Sequence, residues 1–149
     1  MLILALCLSD FIDSNTETNE IIYQGSSPDD IALVKGASQF GYTYVKKDFK
    51  KLVIRNEIKD EVYIFEILAE MPFDSVRKRM SVLVEDCSTK KIYIFSKGAD
   101  TVMNSRINWI KPILVDINDN DIISSEKSLC DKISELLCKE GLRILYLGK

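Results

Sequence analysis

Hydrophobic positions recur at helical spacing in one early stretch of the chain, and the residues around it mark where that helix begins and ends. The spaced apolar residues are Ile31, Leu33, Val34, Ala37 and Phe40. Ser27 supplies a capping hydroxyl before Pro28 at the first helical position, and two acids follow in the first turn. Gly41 suits a helix C-terminus because glycine adopts the left-handed backbone easily. The pattern therefore predicts a helix between Ser27 and Gly41.

From residue 42 to residue 96 the apolar positions fall into short runs rich in β-branched and aromatic residues, which is typical of strands. The runs cover residues 42–45, 52–55, 62–68, 80–84 and 92–95, and a sixth covers 142–147. The connections between the first five are short and polar, so consecutive strands are expected to pair as antiparallel hairpins.

Helical periodicity returns in three further stretches, residues 1–12, 99–107 and 125–139. The last has an apolar face formed by Leu129, Ile133, Leu136 and Leu137, with Gly141 just beyond its end. Polar composition predicts surface loops at 13–20 and 108–124, and residues 21–23 can form a short strand.

Size and charge limit the classes of protein to consider. A chain of 149 residues with 46% hydrophobic and 29% charged residues fits one globular domain covering 1–149. The longest apolar run, residues 1–8, is far below the roughly 20 residues of a membrane-spanning helix. A net charge of −3 and a pI of about 5.1 give no general attraction to nucleic acid. Any anion site must therefore be local.

Cysteine and histidine usage removes several kinds of chemistry. The four cysteines have no C-x-x-C spacing, and the chain contains no histidine, so a zinc site is not expected. The absence of histidine also excludes Ser-His and Cys-His nucleophiles. We expect the thiols to be free and mostly buried.

Residues 73–82 bring an aromatic ring and three consecutive cations next to a predicted strand. One interpretation is a solvated basic edge that protects the strand from aggregation. The other uses strand alternation to put Lys78 and Met80 on one face, with Phe73 as a stacking platform at the entry. A lysine beside an aromatic face suits a nucleobase with its phosphates.

Two other segments have similar double interpretations. Lys97 and Gly98 stand where a strand gives way to a helix, a position at which main-chain N–H groups can meet an anion. Arg143 follows Gly141 and is either a phosphate contact or an exposed strand cation. The chain has neither the G-x-x-x-x-G-K-[ST] loop nor the G-x-G-x-x-G fingerprint of common nucleotide sites.

Taken together and in order, four segments resemble P-type ATPases. They are YQGSSPDDIALV at 23–34, FDSVRKRMSV at 73–82, KGADTV at 97–102 and GLRIL at 141–145, with LALC at 4–7 resembling the opening helix of the same domain. The form of the first two is similar to the type IV, phospholipid-transporting branch. The resemblance implies an α+β nucleotide-binding domain, with a twisted antiparallel sheet of about six strands flanked by helices.

The resemblance also implies a set of ATP-binding residues. Phe73 would stack on adenine with Met80 packed beside the base, and Asp30 would recognise the adenine amino group. Lys97 would line the pocket floor, Lys78 would lie near the ribose or phosphates, and Arg143 would reach toward the phosphate chain. Ser75 and Gly98 belong to the same motifs and complete the expected binding residues.

Departures from the family pattern are informative. The flippase pattern has glutamate where this chain has Asp30. Pro72 before Phe73 is also unexpected in the flippase pattern, and it removes a backbone donor at the pocket edge. The phospho-acceptor motif D-K-T-G-T is absent, and residues 131–134 match only its first two letters. The T-G-E loop and the membrane helices are absent as well. We therefore expect a piece of a larger enzyme that binds ATP without catalytic residues of its own.

The same resemblance implies partners and location. Magnesium would be held mainly by a phosphorylation domain outside this sequence, and the phosphorylation and actuator domains of the parent chain would be the main partners, with an accessory subunit possible. The parent would be an integral membrane protein with this domain on the cytoplasmic side, and the piece itself would be a soluble monomer.

Three alternatives remain open from the sequence. One is the corresponding domain of a cation-transporting P-type ATPase, which the S-P-D-D and R-K-R-M-S-V forms disfavour. Another is a module that binds acidic protein or lipid head groups through its basic strand edge without nucleotide. A hydrolase is the weakest, because no recognisable base and nucleophile pair is present.

Overall fold

The computed structural model describes residues 1–8, 13–14, 21–23, 27–108 and 119–149, of which 13–14, 21–22 and 119–126 are described by their backbone alone. Most of the two predicted surface loops, and Ser26 at the start of the helix-capping segment, lie outside the described residues.

One antiparallel sheet dominates the described fold. Its six strands are adjacent in chain order, and each pairs antiparallel with the next. The strands are β3 Tyr42–Asp48, β4 Lys51–Asn56, β5 Glu61–Asp74, β6 Arg79–Asp86, β7 Ile92–Gly98 and β8 Tyr146–Gly148. A separate two-stranded pair joins β1 Asp13–Ser14 to β2 Ile21–Ile22. The predicted α+β class with an antiparallel sheet of about six strands is confirmed.

Four helices accompany the sheet among the described residues: α1 Leu2–Leu6, α2 Pro28–Gln39, α3 Asp100–Met103 and α4 Asp119–Lys139. The predicted start of α2 is confirmed, since Ser27 Oγ accepts a hydrogen bond from the Asp30 N–H at 3.3 Å. Gly41 and Gly141 have φ values of +81° and +76° just beyond α2 and α4, as expected for helix ends.

The other helix bounds differ from the sequence prediction. Helix α1 ends at Leu6 and α3 at Met103, so both are shorter than their apolar patterns indicate, and α4 begins at Asp119 inside the predicted loop. The predicted apolar face of α4 is largely exposed, with Leu129 at 57% and Leu136 at 62%. Apolar spacing therefore identified the helix but not its burial.

Two strand predictions were wrong in extent. Strand β5 continues past the predicted residue 68 to Asp74, and its pairing with β6 shifts between Met71 and Asp74. That irregularity accommodates Pro72, which cannot donate to a regular ladder. At the other end, only residues 146 and 147 of the predicted 142–147 strand pair with β7, together with Gly148 beyond it. The Leu142 N–H instead bonds to the Leu137 carbonyl as part of the helix end.

The core lies on one face of the sheet, against α1 and α2. Alternate strand residues supply its largest fully buried side chains, which include Tyr44, Ile54, Val82, Val84 and Phe95. Ala5, Leu6 and Cys7 contribute the helical side of the same cluster. All four cysteines are free as predicted. The expectation that most of them are buried was wrong, since only Cys7 is buried and Cys138 lies on the exposed surface of α4.

Candidate functional site

An ion pair joins the start of α2 to the end of β7. The Lys97 ammonium lies 2.6 Å from Oδ1 of Asp30, and the two side chains are only 8% and 18% exposed. The Ser27 cap and Pro28 fix the first turn of α2 and so fix Asp30, while the β6–β7 ladder fixes Lys97. A buried lysine needs such a partner because an isolated charge loses its hydration.

Strand pairing puts two further predicted residues beside this ion pair. Met80 is directly opposite Lys97 in the β6–β7 ladder and is 2% exposed, and Gly98 is opposite Arg79. A Cβ atom on Gly98 would lie 2.6 Å from the Cβ of Arg79 and 2.8 Å from the Lys78 carbonyl oxygen. Only glycine therefore allows the end of β7 to approach the turn before β6 this closely.

Residues 75–78 form the turn between β5 and β6. Phe73 lies just before this turn, near the end of β5, and its ring is exposed. Asp74 Oδ1 accepts the main-chain N–H groups of Val76 and Arg77 at 2.7 and 2.9 Å. Lys78 has a φ of +51° and its carbonyl accepts the Ala99 N–H at 3.1 Å. The expectation that alternation puts Lys78 on the face of Met80 was wrong, since Lys78 belongs to the turn and β6 begins at Arg79.

The last predicted cation reaches the same region from the far end of the chain. The Arg143 guanidinium pairs with Oδ2 of Asp29 at 2.5 Å, and both side chains are exposed. Asp29 precedes Asp30 in the first turn of α2, so Arg143 is brought next to the buried ion pair. This contact was not foreseen from the sequence, in which Asp29 was considered only as one of two acids in the first turn of the helix.

The four sequence segments therefore converge on one end of the sheet. Direct contacts or strand pairing connect Asp30, Lys97, Met80, Gly98 and Arg143 to this region. Phe73, Ser75 and Lys78 lie at the adjoining end of β5 and its turn, all of them exposed. Neighbouring strands are about 4.8 Å apart, so β5, β6 and β7 present these residues across about 10 Å.

Cys7 lies beneath this site and was not identified as part of it. Its Sγ donates to the Phe95 carbonyl at 3.4 Å, two residues before Lys97 on β7. Burial raises the pKa of the Cys7 thiol to about 12. The nearby Lys97 ammonium lowers this pKa, and the Asp30 carboxylate raises it further. The thiol is therefore neutral and packs as part of the floor.

A concavity of about 620 Å³ lies between α3 and α4. Its lining includes Asp100, Asp131 and Glu135 against a single lysine, Lys127. The excess of carboxylates would repel a polyphosphate, so this cleft is a poor candidate for a nucleotide site.

The described residues contain no group of three or more histidine, cysteine, aspartate or glutamate side chains arranged to hold a metal ion. No described helix has both the length and the apolar character that crossing a membrane requires.

Comparison with known proteins gives one family match and several similar sequences. The family model for the P-type ATPase cytoplasmic domain N matches residues 1–149. Phospholipid-transporting ATPase IG of Homo sapiens is 34% identical over 149 residues, which cover 94% of this chain and 13% of that protein. Phospholipid-transporting ATPase NEO1 of Saccharomyces cerevisiae is 32% identical, with 99% and 11% covered. Phospholipid-transporting ATPase IH of Homo sapiens is 42% identical, with 80% and 10% covered. The chain thus spans about a tenth of the length of these relatives.

Proposed function

The chain belongs to the family of P-type ATPase cytoplasmic N domains, and on this premise we propose that it binds ATP for a phospholipid-transporting member of the family. The observation that carries the proposal is the buried Asp30–Lys97 ion pair, with Met80 beside Lys97 and exposed Phe73 at the same end of the sheet. These residue types supply an acceptor, a cation, an apolar wall and an aromatic face.

The arrangement fits adenine. Phe73 is 63% exposed, which leaves its ring face available for stacking on a base. The Asp30 carboxylate, held by Lys97, accepts a hydrogen bond from the exocyclic amino group of adenine, while guanine offers a carbonyl oxygen at that position. Met80 is 2% exposed, so it would contribute a buried apolar layer beneath the base. Selectivity for adenine over guanine follows from this single acceptor.

The phosphates of ATP would meet the cations around the pocket. Lys78 in the turn and Arg143 near the start of α2 are exposed. Ser75 lies in the same turn as Lys78, and Gly98 is the last residue of β7. Magnesium would be bound mainly by the phosphorylation domain, which lies outside this sequence. The γ-phosphate would then be presented to an acceptor aspartate in that domain.

Affinity should be low. A base–aromatic stack contributes roughly 1–3 kcal/mol, each charge-assisted hydrogen bond roughly 1.5–3 kcal/mol, and association costs at least about 4 kcal/mol. The remainder corresponds to a dissociation constant of about 0.1–10 mM. Closure against the phosphorylation domain would add contacts, and weak binding permits release.

The whole protein would couple ATP to phospholipid movement as an integral membrane translocase, with this domain on the cytoplasmic side. All three relatives are phospholipid-transporting ATPases, which favours the phospholipid branch over cation pumps. The phosphorylation and actuator domains of the parent chain would be the partners of this domain, and an accessory subunit belongs to the same proposal.

Amide NMR spectra recorded during titration with ATP and then GTP, without and with magnesium, test the proposal. We expect saturable shifts at Asp30, Phe73 and Lys97 with ATP and weaker shifts with GTP. Phe73→Ala should remove the adenine-dependent response. Phe49→Ala is the matched control, because Phe49 is 98% exposed at the tip of the β3–β4 hairpin.

Equal shifts with ATP, GTP and inorganic triphosphate, confined to Arg77, Lys78 and Arg79, would contradict base recognition. They would instead favour a module that binds anions through its basic turn.

A further inference from the structure

The strand alternation that puts Met80 and Lys97 toward the core puts Arg79 on the opposite face of the sheet. Arg79 precedes Met80 on β6 and pairs with Gly98, which follows Lys97 on β7. Successive strand residues point to opposite faces of the sheet. The side chain of Arg79 is only partly exposed, and its Nη1 donates to the Arg77 carbonyl at 3.2 Å. Arg79 is thus directed away from the proposed nucleotide pocket.

Arg77 and Arg106 lie on elements attached to the same place. The Ala99 N–H bonds to the Lys78 carbonyl, which ties the start of α3 to the 75–78 turn. Arg106 follows α3, and its Nη1 donates to the Val102 carbonyl at 2.7 Å, one turn back toward Ala99. The turn, the start of β6 and the segment after α3 therefore supply one arginine each.

No carboxylate among the described residues forms an ion pair with Arg77, Arg79 or Arg106. Asp74 is within electrostatic range of Arg77, but its Oδ1 is used by two main-chain N–H groups of the turn. Burial, with the neighbouring charges of Arg106 and Arg77, lowers the pKa of Arg79. Grouping like charges is unfavourable, and an anion would relieve it.

We propose that Arg77, Arg79 and Arg106 form a second anion site, separate from the nucleotide pocket, that takes a phosphate monoester dianion. Guanidinium forks bind phosphate in a bidentate manner, and a dianion with three terminal oxygens can accept from several forks at once. A single carboxylate has two oxygens and one charge, so it matches three arginines less well. Inorganic phosphate and a phosphomonoester head group share the required chemistry.

Titration of the domain with inorganic phosphate at constant ionic strength tests the site. We expect saturable shifts of the side-chain Nε–H signals of Arg77, Arg79 and Arg106. Arg79→Gln and Arg106→Gln should each weaken binding about tenfold, the effect of losing one strong charge-assisted contact. Arg106 lies outside the sheet, so Arg106→Gln remains informative even if Arg79→Gln reduces folding.

Arg55→Gln is the matched control, since Arg55 lies on the same sheet but already pairs with Glu57 and Asp60. Phosphate binding that is unchanged in both test variants, or weakened equally in the control, would overturn the proposal. Shifts reproduced by chloride at the same ionic strength would also overturn it.

Vesicles of phosphatidylcholine with and without phosphatidic acid identify the source of the phosphate. Sedimentation with phosphatidic acid that Arg106→Gln abolishes supports the site with a lipid head group as its ligand. Binding of inorganic phosphate without vesicle binding supports the site with a soluble or protein-borne phosphate. Phe73→Ala should leave both responses intact, so failure of the nucleotide proposal and failure of this one are distinguishable.

Discussion

Lys97 and Asp30 are 67 residues apart in sequence, yet the Lys97 ammonium lies 2.6 Å from the Asp30 carboxylate. The contact joins the first turn of α2 to the last residues of β7, and it lies above the buried thiol of Cys7. Because neither charge is well hydrated, each depends on the other for its stability in the folded state. The same pair is the polar centre of the proposed adenine site.

Replacing Lys97 with methionine should destabilise the domain by about 3 kcal/mol, because a largely buried carboxylate would lose its counter-ion. The free energy of unfolding in urea measures this cost. The Asp30→Asn/Lys97→Met double variant should be more stable than the sum of the single effects predicts, with a coupling of at least about 1 kcal/mol. Additive single effects would show that the pair contributes no coupling energy.

Gly98→Ala should destabilise the domain by about 1–3 kcal/mol, because the added methyl group would overlap the Cβ of Arg79 and the Lys78 carbonyl oxygen. Amide shifts in the 75–78 turn should accompany the loss. Gly36→Ala is the control within α2, where an added Cβ meets nothing within 4 Å. It should stabilise by about 0.5–1 kcal/mol, as expected for alanine in a helix. Equal effects at the two positions would contradict the close packing at Gly98.

The sequence predicted correctly those features that depend on interactions between neighbouring residues. The cap at Ser27 and the proline after it predicted the start of α2 correctly, because capping involves neighbouring residues only. The length of β5 was underestimated because residues 69–74 are held by pairing with β6, a non-local interaction. Lys78 was assigned to the wrong setting because a run of cations does not itself distinguish a turn from a strand.

The candidate site shows the same division. Motif order brought Asp30, Lys97 and Arg143 into one proposed pocket, yet it gave no information on which charges pair. The Asp29–Arg143 contact and the place of Cys7 depend on how α1, α2 and the segment after α4 meet the sheet. Arg106 was overlooked because a single cation after a short helix has no distinctive sequence signal.

Asp86 should titrate well below an ordinary aspartate. Hydrogen bonds from the side chain and backbone of Ser88, with further help from Thr89, lower its pKa from 3.8 to about 2. Because the folded-state pKa is depressed, the stabilisation is present above 3.8 and is lost as the pH falls toward 2. Carboxyl-carbon NMR measures the midpoint directly.

Ser88→Ala should raise the Asp86 pKa toward 3.8 and shift the acid loss of stability to higher pH. Thr89→Ala should have a smaller effect, since the 3.3 Å hydrogen bond from Thr89 to Asp86 is donated by the main-chain N–H, which alanine retains. A midpoint near 3.8 in the unsubstituted protein would show that the turn hydrogen bonds are not maintained in solution.

Cysteine reactivity should separate the buried thiol from the exposed one. Cys138 is exposed and should react first with iodoacetamide, whereas Cys7 should react only when urea unfolds the chain. Burial, with its effect on the pKa of Cys7, removes both access and thiolate. Mass spectrometry of peptides labelled over time provides the measurement. Rapid labelling of Cys7 in the native protein would contradict the packing of α1 against β7.

Asp30→Glu should strengthen ATP binding about fivefold, because the added methylene extends the carboxylate by about 1.5 Å toward a base stacked on Phe73. The ion pair with Lys97 holds the Asp30 carboxylate close to the floor of the proposed pocket. Aspartate is therefore less able than the longer glutamate to reach the adenine amino group. Binding of GTP should not improve, since guanine offers no amino group at that position. Titration of both nucleotides by amide NMR measures the difference.

Asp29→Glu is the control for this change, because it lengthens the neighbouring acid that pairs with Arg143 instead of Lys97. It should leave the ratio of ATP to GTP affinity unchanged. If Asp30→Glu improved both nucleotides equally, the gain would come from the phosphates or from stability, and Asp30 would not read the base. If ATP binding weakened, the longer carboxylate would have displaced Lys97 or the base, and the shorter aspartate would be the residue that fits this pocket.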